Sequence, residues 1–96
     1  MKELEYRRWL NKSGVSKKME SDFVSRLKRI ETKLGIYDID EEYKFDKCIR
    51  LMQYLSDGCK NSPYPKSLEF TGTSNQHTVL KYALKKYISF LESIKF

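Results

Sequence analysis

Arg26, Arg29 and Lys33 stand three and four residues apart in a 96-residue chain with a formal net charge of +6. On a helix that spacing puts all three on one ridge. A guanidinium can bond two acceptors on a guanine edge or grip a phosphate, and an ammonium is a good phosphate partner. Lys17, Lys18 and Ser25 fall on the polar side of the same segment. Free N–H groups at the start of such a helix would also suit a phosphate oxygen. A second set stands nearer the C-terminus, where Asn75, Gln76 and His77 are followed by Lys81, Lys85 and Lys86. Amide side chains at a helix start can pair with adenine in the major groove, and the lysines behind them with the backbone. The chemistry on offer is recognition of a polyanion rather than bond making.

Catalysis has little to stand on. His77 is the one histidine of the chain, and its place beside Asn75 and Gln76 favours capping or contact over acid–base work. The sequence carries no nucleophile motif, phosphate-cradling glycine loop or paired-histidine signature. The acidic residues between 38 and 46 lack the glycine and ligand alternation of a calcium loop. Cys48 and Cys59, with one His, supply too few ligands at sensible spacing for a zinc site. The opening MKELEYRRWL has no apolar stretch of the kind a signal peptide needs. The two thiols are therefore read as reduced, Cys48 on a helix face and Cys59 near a loop. The expectation is a cytoplasmic protein that is not an enzyme and uses no metal or cofactor. No apolar run approaches the roughly 18–20 residues that span a bilayer, so no membrane partner is expected.

The charge is unevenly spread. Residues 1–35 hold ten basic and five acidic side chains, residues 36–58 three and six, and residues 59–96 six and two. An acidic middle between two basic ends predicts a polarised surface, which favours an anionic partner.

These side chains need helices to present them. With 40% hydrophobic residues, 14% aromatics, four Gly and two Pro, the composition suits one all-α domain over residues 1–96. Four helices are expected, at about 2–11, 17–34, 41–57 and 75–95. In the first, Leu4, Tyr6, Trp9 and Leu10 form an apolar side. In the second, Ser16 is the N-cap, Met19, Phe23, Val24, Leu27, Ile30 and Leu34 form the stripe, and Gly35 is the stop. The third follows a capping box from Asp38 to Glu41, buries Phe45, Cys48, Ile49, Met52 and Leu55, and ends at Gly58. The fourth is capped by Ser74 or Asn75 and buries Leu80, Ala83, Leu84, Tyr87, Leu91 and Ile94, with Val79, Ile88 and Phe90 flanking. The arrangement is a compact orthogonal four-helix bundle. Between its third and fourth helices Pro63, Pro65 and Gly72 enforce a long loop.

Two stretches resemble a known pattern. YRRWLNKSGVSKKMESDFVSRLKRIETKL is similar to the opening of the helical, SAM-like N-terminal domain of tyrosine recombinases and phage integrases. SNQHTVLKYALKKYISFLESI looks like that domain's final helix, and SRLKR-type helices also precede restriction-type nucleases. Together the stretches cover about half the chain. The resemblance implies four helices clamping one face of duplex DNA, the second and fourth doing most of the touching. Carried onto this sequence it falls on Lys18, Arg26, Arg29, Asn75, Lys81 and Lys85. Four features depart from the pattern: Met19 stands where such domains often have Thr, the third helix is acidic, the loop after it contains prolines, and no Arg/His/Tyr cleavage constellation follows. The chain is expected to be an excised domain or a free-standing binder.

The expected function is a non-catalytic DNA-binding module that uses the basic faces of its second and fourth helices on duplex DNA. The alternative is a small phage or mobile-element inhibitor that docks on a host defence protein or its guide RNA complex. Its anchors would be the loop residues Tyr64, Leu68 and Phe70. Sequence leaves the oligomeric state open.

Overall fold

The computed structural model describes residues 1–57, 63–66 and 76–94. Within them the chain is all-helical. The helices are α1 (Glu3–Lys12), α2 (Lys17–Leu34), α3 (Ile39–Asp46), α4 (Ile49–Ser56) and α5 (Gln76–Ser93).

Local chemistry sets the bounds of α2. The Ser16 hydroxyl accepts a hydrogen bond from the Met19 N–H at 3.2 Å, satisfying one of the donors that a helix start leaves over. At the other end Gly35 adopts φ +71°, the left-handed conformation that stops the helix. A Cβ there would only touch Pro65 Cβ, at 3.4 Å, so the backbone angle rather than space is what favours glycine.

The expected third helix is two helices. Lys47 (φ 59°) and Cys48 (φ 63°) both take the left-handed conformation and turn the chain sharply between α3 and α4. For non-glycine residues that conformation costs about 1–2 kcal/mol each. The turn offsets this by bringing Cys48, Leu51 and Leu55 to zero exposure, each large aliphatic side chain contributing about 1.5–3 kcal/mol on burial. Asp46 makes the new start, its carboxylate accepting from Ile49 N at 3.2 Å and Arg50 N at 3.0 Å. The predicted stripe is corrected accordingly: Phe45 and Ile49 stand 69% and 65% exposed, while Tyr54 joins the core. Asp38 does cap α3, but its carboxylate accepts from Asp40 N, and the helix starts at Ile39.

α5 is the central element, packing on α1, α2 and α4. Leu80, Ala83, Leu84, Tyr87, Phe90 and Leu91 are its buried side. Phe90 is core rather than flank, because it closes an aromatic cluster with Tyr6 (5.3 Å between centroids), Trp9 (5.8 Å) and Tyr87 (5.5 Å). Tyr6 meets Tyr87 edge on at 4.9 Å, a favoured geometry for two rings. Leu4, Met19 and Ile94, expected in the core, are exposed. Leu4 lies on the side of α1 away from Tyr6, Met19 at the edge of the α2 stripe, and Ile94 just past the end of α5.

Among the described residues three carboxylates are buried, and each has a partner on another segment of the chain. Arg7 donates to Glu20 at 3.3 Å. Asp40 accepts from Lys2 Nζ at 2.9 Å and from the Tyr87 hydroxyl. Glu42 accepts from Arg50 and from the Tyr64 hydroxyl. Pairing of this kind is what permits charge inside a fold. The amino group of Met1 sits among Glu31, Asp38 and Asp40. The acidic middle of the sequence is thus mostly scaffold. No described helix is long and apolar enough to cross a membrane.

Candidate nucleic-acid interface

The intramolecular ion pairs sort the cations. Lys2, Arg7, Lys28 and Arg50 are committed to Asp40, Glu3 and Glu20, Glu3, and Glu42 respectively. Lys28 reaches Glu3 at 2.8 Å, so the flank of α2 that bears it faces α1. The opposite flank bears Met19, Arg26, Arg29 and Lys33. Lys33 and Arg29 are exposed and Arg26 is half-buried, while Lys17, Lys18 and Ser25, also exposed, lie round the helix towards Lys28, Lys17 within about 20° of it. Lys17, Lys18, Arg26 and Lys33 make no ion pair with any described residue, whereas Arg29 has a partner. Arg26, Arg29 and Lys33 fall within about 60° of arc on α2. Asp22 stands within it, four residues before Arg26.

On α5 the predicted residues divide. Asn75 lies outside the described residues, as does the side chain of Gln76, the first residue of the helix. His77 is half-buried and has a partner. Lys81 is half-buried, Lys85 is exposed, and neither is ion-paired to a described residue. Lys86, one turn beyond Tyr82, has its ammonium 5.5 Å from the centre of the Trp9 ring, which engages it by a cation–π contact. Leu68 and Phe70 of the alternative contact loop lie outside the described residues. Tyr64 is buried against Glu42 and Tyr54, and so is a structural pin rather than an exposed anchor.

What joins the two basic helices is an aromatic contact that spacing alone did not single out. Phe23 of α2 and Tyr82 of α5 lie 5.8 Å apart between centroids with their planes tilted by 34°. Phe23 is buried, while Tyr82 is 57% exposed. Arg26 is one turn beyond Phe23, and Lys85 is one turn beyond Tyr82. Going round α5, Lys81, Lys85 and Tyr82 follow one another over roughly 100° of arc. Tyr82 belongs neither to the buried stripe nor to the run of lysines. An aromatic inside KYALKK, one step out of the apolar register, was the available signal.

This geometry can neutralise phosphates along two helices and offer a ring face between them. Among the described residues no three His, Cys, Asp or Glu side chains converge as a metal site. Compared with protein-family models, curated proteins and solved structures, the chain matches none.

Proposed function

We propose that this chain is a non-catalytic DNA-binding module that lays the basic faces of α2 and α5 along the phosphate backbone of duplex DNA. The carrying observation is the division of its cations: four are spent on buried or interhelical carboxylates, whereas Lys17, Lys18, Arg26, Lys33, Lys81 and Lys85 are not. Cations that stabilise nothing inside the fold are available to a polyanion. The resemblance of residues 6–34 and 74–94 to the SAM-like domain of tyrosine recombinases supports the same choice of helices. Arg26, Arg29, Asn75 and Gln76 are the candidates for base edges.

Fluorescence anisotropy with a labelled mixed-sequence duplex, titrated from low to physiological salt, tests the proposal. Binding on the order of 1–100 µM near physiological salt, with a steep salt slope, is the expected result for non-specific contact. Reversing Arg26 and Arg29 to Glu should abolish it. Unchanged affinity in that double variant would remove the assignment.

A second reading, a protein partner of the host-defence class, is favoured by the exposed Phe45 and Ile49 at the α3–α4 corner. Large apolar side chains left in solvent are common interface anchors. Replacing both with Glu and retaining capture of that partner would dispose of it.

A further inference from the structure

We infer that the seam between α2 and α5 prefers DNA with an unpaired base, which stacks on the exposed ring of Tyr82. The inference rests on the DNA-binding proposal above and specifies what that face selects.

Among the described aromatics Tyr37, Phe45 and Tyr82 are exposed, and what sets Tyr82 apart is that its ring rests on another ring. Tyr6, Phe23, Tyr54, Tyr87 and Phe90 are buried, and Trp9 packs on Tyr6 and Phe90. Tyr82 keeps more than half its surface in solvent while one side of its ring is fixed against Phe23 at 5.8 Å. A ring supported from behind and open in front has already lost much of its rotamer freedom, so a stacking ligand meets a prearranged surface. Met19, one turn before Phe23, and Val79, one turn before Tyr82, are also exposed, at 40% and 39%. They extend the apolar floor beyond the ring.

The surroundings identify the occupant by charge. Arg26 follows Phe23 by one turn of α2, and Lys85 follows Tyr82 by one turn of α5. Neither is ion-paired to a described residue. Asp22, adjacent to Phe23 in sequence, is the acidic exception on this side. An apolar ring flanked by cations suits a ligand with a flat aromatic face and flanking negative charge. A nucleotide in a single strand has both, and base stacking on an aromatic side chain is the recurrent means of holding one. In a continuous duplex the bases are stacked on each other and offer no such face. The phosphates alone would then engage the helices, and Tyr82 would add little.

The experiment compares a short mixed-sequence single strand with the blunt duplex made from it, by anisotropy at low salt, for the wild type and two variants. Tyr82→Leu keeps apolar contact with Phe23 but has no ring face, while Tyr82→Phe keeps the ring. Helicity by circular dichroism confirms that each variant is folded. The wild type should bind the single strand roughly fivefold or more tighter than the duplex. Tyr82→Leu should lose that advantage, its single-strand affinity falling several-fold more than its duplex affinity, and Tyr82→Phe should retain it. Equal affinity for the two forms in the wild type, or an equal loss on both forms in Tyr82→Leu, overturns the inference and leaves the DNA-binding proposal standing. Absence of binding to either form overturns both.

Discussion

Arg50 grips Glu42 with two parallel hydrogen bonds, Nε to Oε1 at 2.7 Å and Nη2 to Oε2 at 3.2 Å, across the left-handed turn that separates α3 from α4. The guanidinium lies 4.8 Å from the Phe45 ring centre and 4.9 Å from that of Tyr64. The Tyr64 hydroxyl donates to the same carboxylate at 2.7 Å. One carboxylate thus fixes the corner and anchors residues 63–66, whose backbone is also tied back by Lys66 N–H to Leu34 O at 3.1 Å.

Arg50→Ala should therefore lower stability by about 1–3 kcal/mol, the cost of leaving a buried acceptor short of its donor. Tyr64→Phe should cost about 1 kcal/mol by removing the second donor. Because both act on Glu42, the double variant should deviate from additivity by about 0.5 kcal/mol or more. Urea unfolding of the four proteins measures this, and strict additivity would show that the two donors act independently.

The same carboxylate predicts a pH dependence. Burial alone would raise the Glu42 carboxyl, but the hydrogen bonds from Arg50 and Tyr64 and the guanidinium charge outweigh burial and hold it below the ordinary value. For Asp38, burial is likewise outweighed, by the Met1 amino group and the Asp40 N–H. A carboxyl depressed in the folded state stabilises fully above its unfolded value, about 4 for these types, and progressively less as pH falls through the folded one. Stability should drop on acidification below about pH 4. Glu42→Gln should be less stable at neutral pH and show a shallower acid limb in denaturation at a series of pH values.

The backbone makes two opposite predictions. Gly35→Ala places a Cβ at φ +71° and 3.4 Å from Pro65 Cβ, and should cost about 1–2 kcal/mol. Lys47→Gly relieves a left-handed lysine on the exposed corner. It should be neutral or stabilising by up to about 1 kcal/mol, the relief being partly offset by glycine's larger entropy loss. Thermal melts of both variants distinguish them by sign.

Cys48 has no exposed surface, and burial, with Glu42, Asp46 and Asp40 nearby, pushes its thiol up to about 12. Reactivity requires a thiolate that reagent can reach. Iodoacetamide at mildly alkaline pH should leave Cys48 unmodified in the native protein and modify it in urea, as read by peptide mass mapping. Prompt native labelling at Cys48 would contradict the packed corner.

How far the sequence disclosed this structure differs from helix to helix. α2 was legible to the residue, because Ser16 and Gly35 act locally and the apolar spacing between them is regular. The break at Lys47 and Cys48 was not. Phe45, Cys48, Ile49, Met52 and Leu55 keep helical spacing through it, and neither Gly nor Pro marks it. Its causes are a cap from Asp46, the reach of Arg50 to Glu42, and the burial of Leu51 and Leu55 on the rest of the fold. The last of these is tertiary and leaves no short-range trace. At the candidate site, the basic ridge of α2 followed from charge spacing alone. Tyr82 did not, since its position is defined by Phe23, 59 residues earlier, which it meets only when α2 and α5 pack. Likewise, sequence shows that Glu20, Asp40 and Glu42 are acidic but not that distant partners bury them.

The first and last helices meet directly. Lys2 N–H donates to the Tyr87 hydroxyl at 2.7 Å across 85 residues of chain, and Tyr6 packs on Tyr87 and Phe90. During synthesis, at roughly 5–20 residues per second, α1 and α2 emerge long before the helix that completes their core. Until α5 arrives, Tyr6, Leu10, Phe23 and Leu27 lack the surface that covers them. This core therefore cannot be completed in stages, and its window of exposure to aggregation or to chaperones lasts until α5 has emerged.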